Sequence, residues 1–273
     1  GRRPDGYHEV EMIMQSVDLH DELFLFPAGR ISMEIKGRRL PVDERNIVIR
    51  AARALLSFAD RPIGARILLQ KRIPVGAGLG GGSADAAATL VGLNQLWGLG
   101  LSREILEKLA VSLGADVPYC LRGGTVLATG IGERLMDLPA LPSLPVFLAQ
   151  PPFNVSTAHV YKSLSLSGAH QHPDVERIVN LIKQGEYGAI TKQGGNLLAE
   201  VTLRLYPELK EVMDWIKSVG FSIRMSGSGP TLFILGVNSA NQSLTNVEVK
   251  LRRRGWWTYY GFLQAYGLKV QEE

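Results

Sequence analysis

The chain has 273 residues, 45% hydrophobic and 21% charged, with a formal net charge of +4 and a single cysteine, Cys120. That balance is the one of a globular protein with a real core; one cysteine excludes an internal disulfide and a cysteine metal site, and no apolar run approaches the roughly 18 residues that cross a bilayer. The expectation is a cytoplasmic protein whose two dense basic runs, residues 36–39 (KGRR) and 250–254 (KLRRR), are solvated faces or loops, with no nucleic acid, membrane or protein partner implied.

Residues 1–8 read GRRPDGYH. Pro4-Asp5-Gly6 is a turn signal with nothing before it to join, so a further N-terminal segment is expected ahead of Gly1. Residues 10–26 are rich in strand formers and are broken at Asp18, His20 and Asp21. Ile31, Met33 and Ile35 alternate with polar residues, a half-buried strand. Asn46 can cap a helix whose apolar stripe is Val48, Ala51, Ala52 and Leu55. Ala65, Ile67 and Leu69 alternate again and lead into Lys71 and Pro74. An Ala-rich helix then ends near Gly98. Ser102 caps a helix over 103–113 that Gly114 stops. Residues 125–129 form a short strand. Prolines 139, 142, 145, 151 and 152 mark a boundary, which divides the chain into domains 1–145 and 146–273. The second half carries helices near 173–183, 196–204 and 207–219. Strands are expected at 221–225, 231–235 and 256–265. The mixture of hairpins and helices gives an α+β class rather than a doubly wound sheet.

Residues 74–88 (PVGAGLGGGSADAAA) carry the strongest chemical signal. Gly76, Gly78, Gly80, Gly81 and Gly82 precede Ser83 and a helix. Backbone N–H groups can converge on a phosphate only where no side chain intervenes and positive φ is allowed. The helix that follows offers its positive N-terminal end. Gly-Lys-Ser/Thr is absent, so this is no Walker loop, and the dinucleotide fingerprint spacing is absent too. A flexible linker would not lie between a strand and a helix, so phosphate binding is the better reading.

Residues 74–83 resemble the central signature of the GHMP kinases, and residues 225–230 (MSGSGP) resemble that family's C-terminal motif. Residues 4–8 (PDGYH) and 114–118 (GADVP) narrow the resemblance to members that act on a cytidine-diphosphate-linked methylerythritol. It runs over essentially the whole chain. It implies an N-terminal ribosomal-protein-S5-like domain, a C-terminal ferredoxin-like α+β domain, and a cleft where ATP phosphorylates the 2-hydroxyl of that small molecule, with Mg²⁺. Mevalonate or homoserine as acceptor, or a non-catalytic nucleotide- or nucleic-acid-binding role, are the alternatives. The DGYH motif and the loop around Tyr161 argue against the first pair; no basic stripe with interleaved aromatics supports the last.

The resemblance assigns Asp116 as the base that accepts the hydroxyl proton; read alone, Asp116 is a helix cap. It places Pro74, Gly76, Gly78, Leu79, Gly80, Gly81, Gly82 and Ser83 around the phosphates, with Asn46 and Lys71 toward the nucleotide. It gives Tyr7, His8 and Tyr161 the cytosine, and Thr157, Lys162, Ser226, Gly227, Ser228 and Gly229 the rest of the acceptor. Members of the family often carry Phe where Tyr161 stands. The family's catalytic lysine and its neighbouring asparagine fall in the segment expected ahead of Gly1. Metal ligands have no assignment.

Overall fold

A computed structural model describes residue 3 and residues 8–60, 62–164 and 173–271. The elements run β1 (Val10–Val17), β2 (Glu22–Ala28), β3 (Ser32–Lys36), α1 (Ile47–Leu56), β4 (Gly64–Gln70), α2 (Gly81–Leu96), α3 (Arg103–Leu113), α4 (Val117–Arg122), β5 (Thr125–Gly130), β6 (Arg134–Asp137) and β7 (Pro145–Gln150). They continue with α5 (Thr157–Lys162), α6 (Val175–Gln184), α7 (Tyr187–Ile190), α8 (Leu197–Leu205), α9 (Pro207–Ser218), β8 (Ile223–Met225), β9 (Leu232–Leu235), α10 (Gln242–Arg253) and β10 (Trp257–Gln264). This is the α+β class that the sequence implies.

A three-stranded sheet, in the order β2-β4-β3, is covered by α1 and α2. In β4 the alternation works as expected: Ala65, Ile67 and Leu69 are buried and Arg66 is exposed. They meet Val48, Ala51 and Leu55 of α1 and Ala86, Ala87 and Leu90 of α2. The small residues bring α2 close. A Cβ on Gly92 would stand 2.4 Å from Leu25 Cδ1, so a larger residue there would have to turn the Leu25 side chain aside.

A seven-stranded sheet has the order β6-β5-β1-β10-β7-β9-β8. The strands on either side of its middle are firmly paired, β1 with β5 from Val10↔Gly130 to Gln15↔Thr125 and β10 with β7 from Trp257↔Gln150 to Phe262↔Pro145. The seam between them is narrow: β1 and β10 meet at Ser16↔Gln264 and Val17↔Leu263. Val17, Leu127, Leu148 and Leu263 fill the space behind the seam together with Val179 and Ile182 of α6. Beyond it, α9 and α10 pack Leu209, Val212, Ile216, Leu244, Val247 and Leu251 on Phe147 and Ile234.

Residues 250–254 close the helix α10, and Lys250, Arg252, Arg253 and Arg254 are exposed there, the solvated face read for that run. Leu244, Val247 and Leu251 form an apolar stripe at helical spacing. Lys250, Arg252 and Arg253 occupy the last turn, where cations suit the helix dipole. β6, β7, α5 and α7 also lie beyond what periodicity alone picked out, because each is short. No helix among the described residues is long and apolar enough to cross a membrane.

Candidate active site

The strand β4 ends at Gln70, and Lys71 to Gly80 carry the chain into α2. Gly76, Gly78 and Gly80 have φ of 65°, 71° and 66°, the left-handed region that other residues enter only with strain. Gly80 is the N-cap of α2 and supplies no side-chain cap; the first helical hydrogen bond runs from Ala84 N to Gly80 O at 2.9 Å. The N–H groups of the first turn are therefore left for another acceptor. No described atom lies within 4 Å of a Cβ built on Gly80, and one on Gly82 would meet only Ile47 Cγ2 at 3.9 Å. The result is an open cradle at a helix N-terminus, with the Ser83 side chain half-buried beside it.

The second glycine turn, Ser226 to Gly229, nests against this loop. Ser226 Oγ donates to Gly78 O at 2.7 Å, and Thr231 N donates to Ala77 O at 3.3 Å. A Cβ on Gly78 would stand 2.7 Å from both Ser226 O and Gly229 O, so the two backbones touch only because Gly78 is bare. Asn196 caps α8 through its Oδ1, while its Nδ2 donates to Met225 O (3.0 Å) and Gly227 O (2.7 Å). Ser228 is buried; its hydroxyl lies 2.7 Å from Thr157 Oγ1 at the start of α5, and its carbonyl accepts from Thr202 Oγ1 at 3.1 Å. Residues from both halves of the chain thus meet at one place.

Asp116 stands at the N-cap position of α4, but its backbone is helical (φ −87°, ψ −10°) and its carboxylate makes no cap bond. The cap reading therefore does not account for it. Burial raises its carboxyl above the usual range. Tyr161, on α5, has its phenol raised by burial and then by the charge of Asp116, which puts the two in one neighbourhood. The Tyr161 ring lies 5.3 Å from the His8 ring, tilted by 34°. The structure thus gathers His8, Asp116 and Tyr161 from three distant stretches. Tyr7 lies outside the described residues. Lys162 is exposed on the last turn of α5.

On the nucleotide side, Asn46 is buried and caps α1: its Oδ1 accepts from Val48 N at 3.0 Å and its Nδ2 donates to Pro41 O at 2.8 Å. Pro74 is buried and Leu79 packs at the edge of the seam core. Lys71 differs from the expectation of a residue turned toward the nucleotide. Its ammonium is enclosed beneath the loop, donating to Asp21 Oδ2 and, at 2.7 Å, to Asp85 Oδ2. All three side chains are 5% exposed or less. The reason is electrostatic: a buried ammonium needs anionic partners, and both carboxylates are there. Sequence reading passed over Asp21 and Asp85. The available signal was a lone acid in the otherwise small, apolar start of α2.

Among the described residues, no group of three or more His, Cys, Asp and Glu side chains is placed to hold a metal ion. Such a donor set does not fit an all-protein cage.

Two family models match the chain: the GHMP kinases N terminal domain over residues 46–124 and the GHMP kinases C terminal domain over residues 181–246. The chain is 46% identical over 256 residues to a protein of Pelotomaculum thermopropionicum named 4-diphosphocytidyl-2-C-methyl-D-erythritol kinase, covering 93% of this chain and 88% of that one. A Geobacillus protein of the same name is 46% identical, covering 85% and 81%. A crystal structure of 4-(cytidine 5'-diphospho)-2C-methyl-D-erythritol kinase superposes with a TM-score of 0.77 at 37% identity, covering 96% of this chain and 92% of that chain. A homoserine kinase from Cytophaga hutchinsonii superposes at 0.72 with 23% identity, a likeness of fold alone.

Proposed function

We propose that this chain, which belongs to the GHMP kinase family, uses ATP to phosphorylate the 2-hydroxyl of 4-diphosphocytidyl-2-C-methyl-D-erythritol, a step in non-mevalonate isoprenoid precursor synthesis. The observation that carries the site reading is the half-buried carboxylate of Asp116, which makes no cap bond and lies within electrostatic reach of Tyr161.

The reading gives each part a task. The N–H groups at the start of α2 bind phosphate oxygens without side-chain interference, and the helix dipole favours their charge. Asn46 precedes Ile47, whose side chain comes within 3.9 Å of a Cβ built on Gly82, and is our candidate for the nucleotide base. His8 and Tyr161 offer a ring face and an imidazole to a flat pyrimidine. Thr157 and Ser228, joined by their hydroxyls, hold the acceptor's polar chain near the donor. The Asp116 carboxylate accepts the proton from the acceptor hydroxyl as its oxygen bonds to phosphorus and the bond to the ADP leaving group breaks. When bound, Mg²⁺ supplies charge neutralisation at the phosphates. We also read the chain as two domains, 1–145 and 146–273. The two family models fall on either side of that line, and the narrow β1–β10 seam supports it.

The test is a coupled ADP-release assay on the protein with three acceptors. Turnover of the cytidyl-methylerythritol diphosphate, with none of homoserine or mevalonate, is the expected result. No turnover of the first would sink the assignment.

A further inference from the structure

We propose that Asp21 and Asp85, acting through Lys71, are positioning residues of the phosphate loop, clamping its entry and its exit onto one buried ammonium. The proposal rests on the reading of residues 74–83 as the ATP site. At the entry, Asp21 Oδ1 accepts from Arg72 N at 2.6 Å and Ile73 N at 2.8 Å, the two residues before Pro74. Its Oδ2 accepts from Lys71 Nζ. At the exit, Asp85 lies one turn into α2 on the face shared with Gly81. Its Oδ2 accepts from the same Nζ at 2.7 Å. Gly81 itself rests on the cation: a Cβ there would stand 3.0 Å from Lys71 Nζ and 2.7 Å from Ile73 Cγ2. One ammonium therefore sets the distance between the strand that feeds the loop and the helix that receives it. The cradle N–H groups lie between these two anchors.

Stability alone is a poor account of this arrangement. A buried ion triad gains little over apolar side chains of similar volume. Here one oxygen, Asp85 Oδ1, is buried with no hydrogen-bond partner among the described residues, and an unsatisfied buried acceptor is a cost. A carboxylate held at such a cost, directly under an anion-binding helix end, fits a geometric task. Asp21 fixes the backbone of the loop's stem, and Asp85 fixes the helix against it.

The experiment is isothermal titration calorimetry of the unaltered protein and of Asp21→Asn, Asp85→Ala and Asp85→Asn, each with MgATP and separately with CDP. We expect Asp21→Asn and Asp85→Ala to weaken MgATP roughly tenfold or more, since small misplacements of a convergent site are costly. CDP binding should stay within about twofold of the unaltered protein, because its site is built from other elements. Asp85→Asn keeps an oxygen for Lys71 and should recover MgATP affinity to within about threefold. A folded Asp21→Asn or Asp85→Ala protein that binds MgATP as the unaltered one does overturns the proposal. So does loss of the fold in both, which would make the triad structural. Failure of the unaltered protein to bind MgATP would instead strike the ATP-loop reading, and the clamp with it.

Discussion

Asp116 is the residue on which the proposed chemistry turns. Its carboxylate must be ionised to take a proton, and burial raises it above the usual range. The activity should therefore fall on the acid side at a pH above the ordinary aspartate value, as the carboxylate is protonated. A kcat–pH profile reads this directly. Asp116→Asn keeps the shape and removes the base. We expect kcat to drop by about 10²–10⁴ while MgATP binding is retained; equal loss of both would mean that Asp116 serves the fold. Asn46 shows how one residue can hold two readings at once. The cap is plain in the structure, with Val48 N as its donor, and the next residue, Ile47, is the one that comes near Gly82 of the loop. Lys71 shows the opposite. A lysine near a nucleotide loop invites a direct contact, but the enclosing carboxylates of Asp21 and Asp85 turn it inward.

At the scale of elements, the two glycine turns are one unit. Gly78 and Gly80 share a left-handed backbone, with φ of 71° and 66°, but their surroundings differ. Gly80→Ala should cost only the left-handed strain, about 1–2 kcal/mol. Gly78→Ala adds collisions with two carbonyl oxygens of the partner turn, about 1–3 kcal/mol more. Chemical denaturation of both variants checks the order. Equal losses would mean that the turns do not interlock in solution. The short elements α5 and α8 matter for the same reason: Thr157 and Asn196 open them and reach the second turn. Ser102 holds the N-cap position of α3, but the cap expected of its side chain is not made. In this case helix periodicity and the stop at Gly114 were enough.

For the whole molecule, β10 is the element that ties the chain together. It pairs with β7 along six positions, Trp257↔Gln150 to Phe262↔Pro145, and carries the seam to β1. Removing residues 256–273 should abolish the cooperative thermal transition followed by circular dichroism. A cooperative melt in the shortened chain would show that the β1–β10 seam is dispensable. Global stability should also depend on pH through Asp85. Burial first, then opposed by Lys71 and supported by Asp21, pushes its carboxyl from 3.8 up to about 7. Between these values the folded protein keeps a proton that the unfolded chain has released, so stability falls as pH rises through that window. Asp116 contributes with the same sign. Melting temperatures across the window should fall less steeply in Asp85→Asn. An unchanged slope would exclude Asp85 as a source of the dependence.

The amino-acid sequence by itself determined the local features. Glycine spacing in residues 76–82 imposes a bare backbone before a helix, alternation in β4 makes a half-buried strand, and Asn46 caps α1 through atoms two residues away. These depend on φ/ψ limits and on neighbours in the chain, which a sequence states outright. Tertiary structure alone decided the rest. The nesting of Gly78 with Ser226, the approach of His8 to Tyr161, the turning of Lys71 onto Asp21 and Asp85, and the place of β10 between β1 and β7 join residues far apart in the chain. Their partners are chosen by burial and charge balance in the folded core, and neither carries a local periodicity that could announce it.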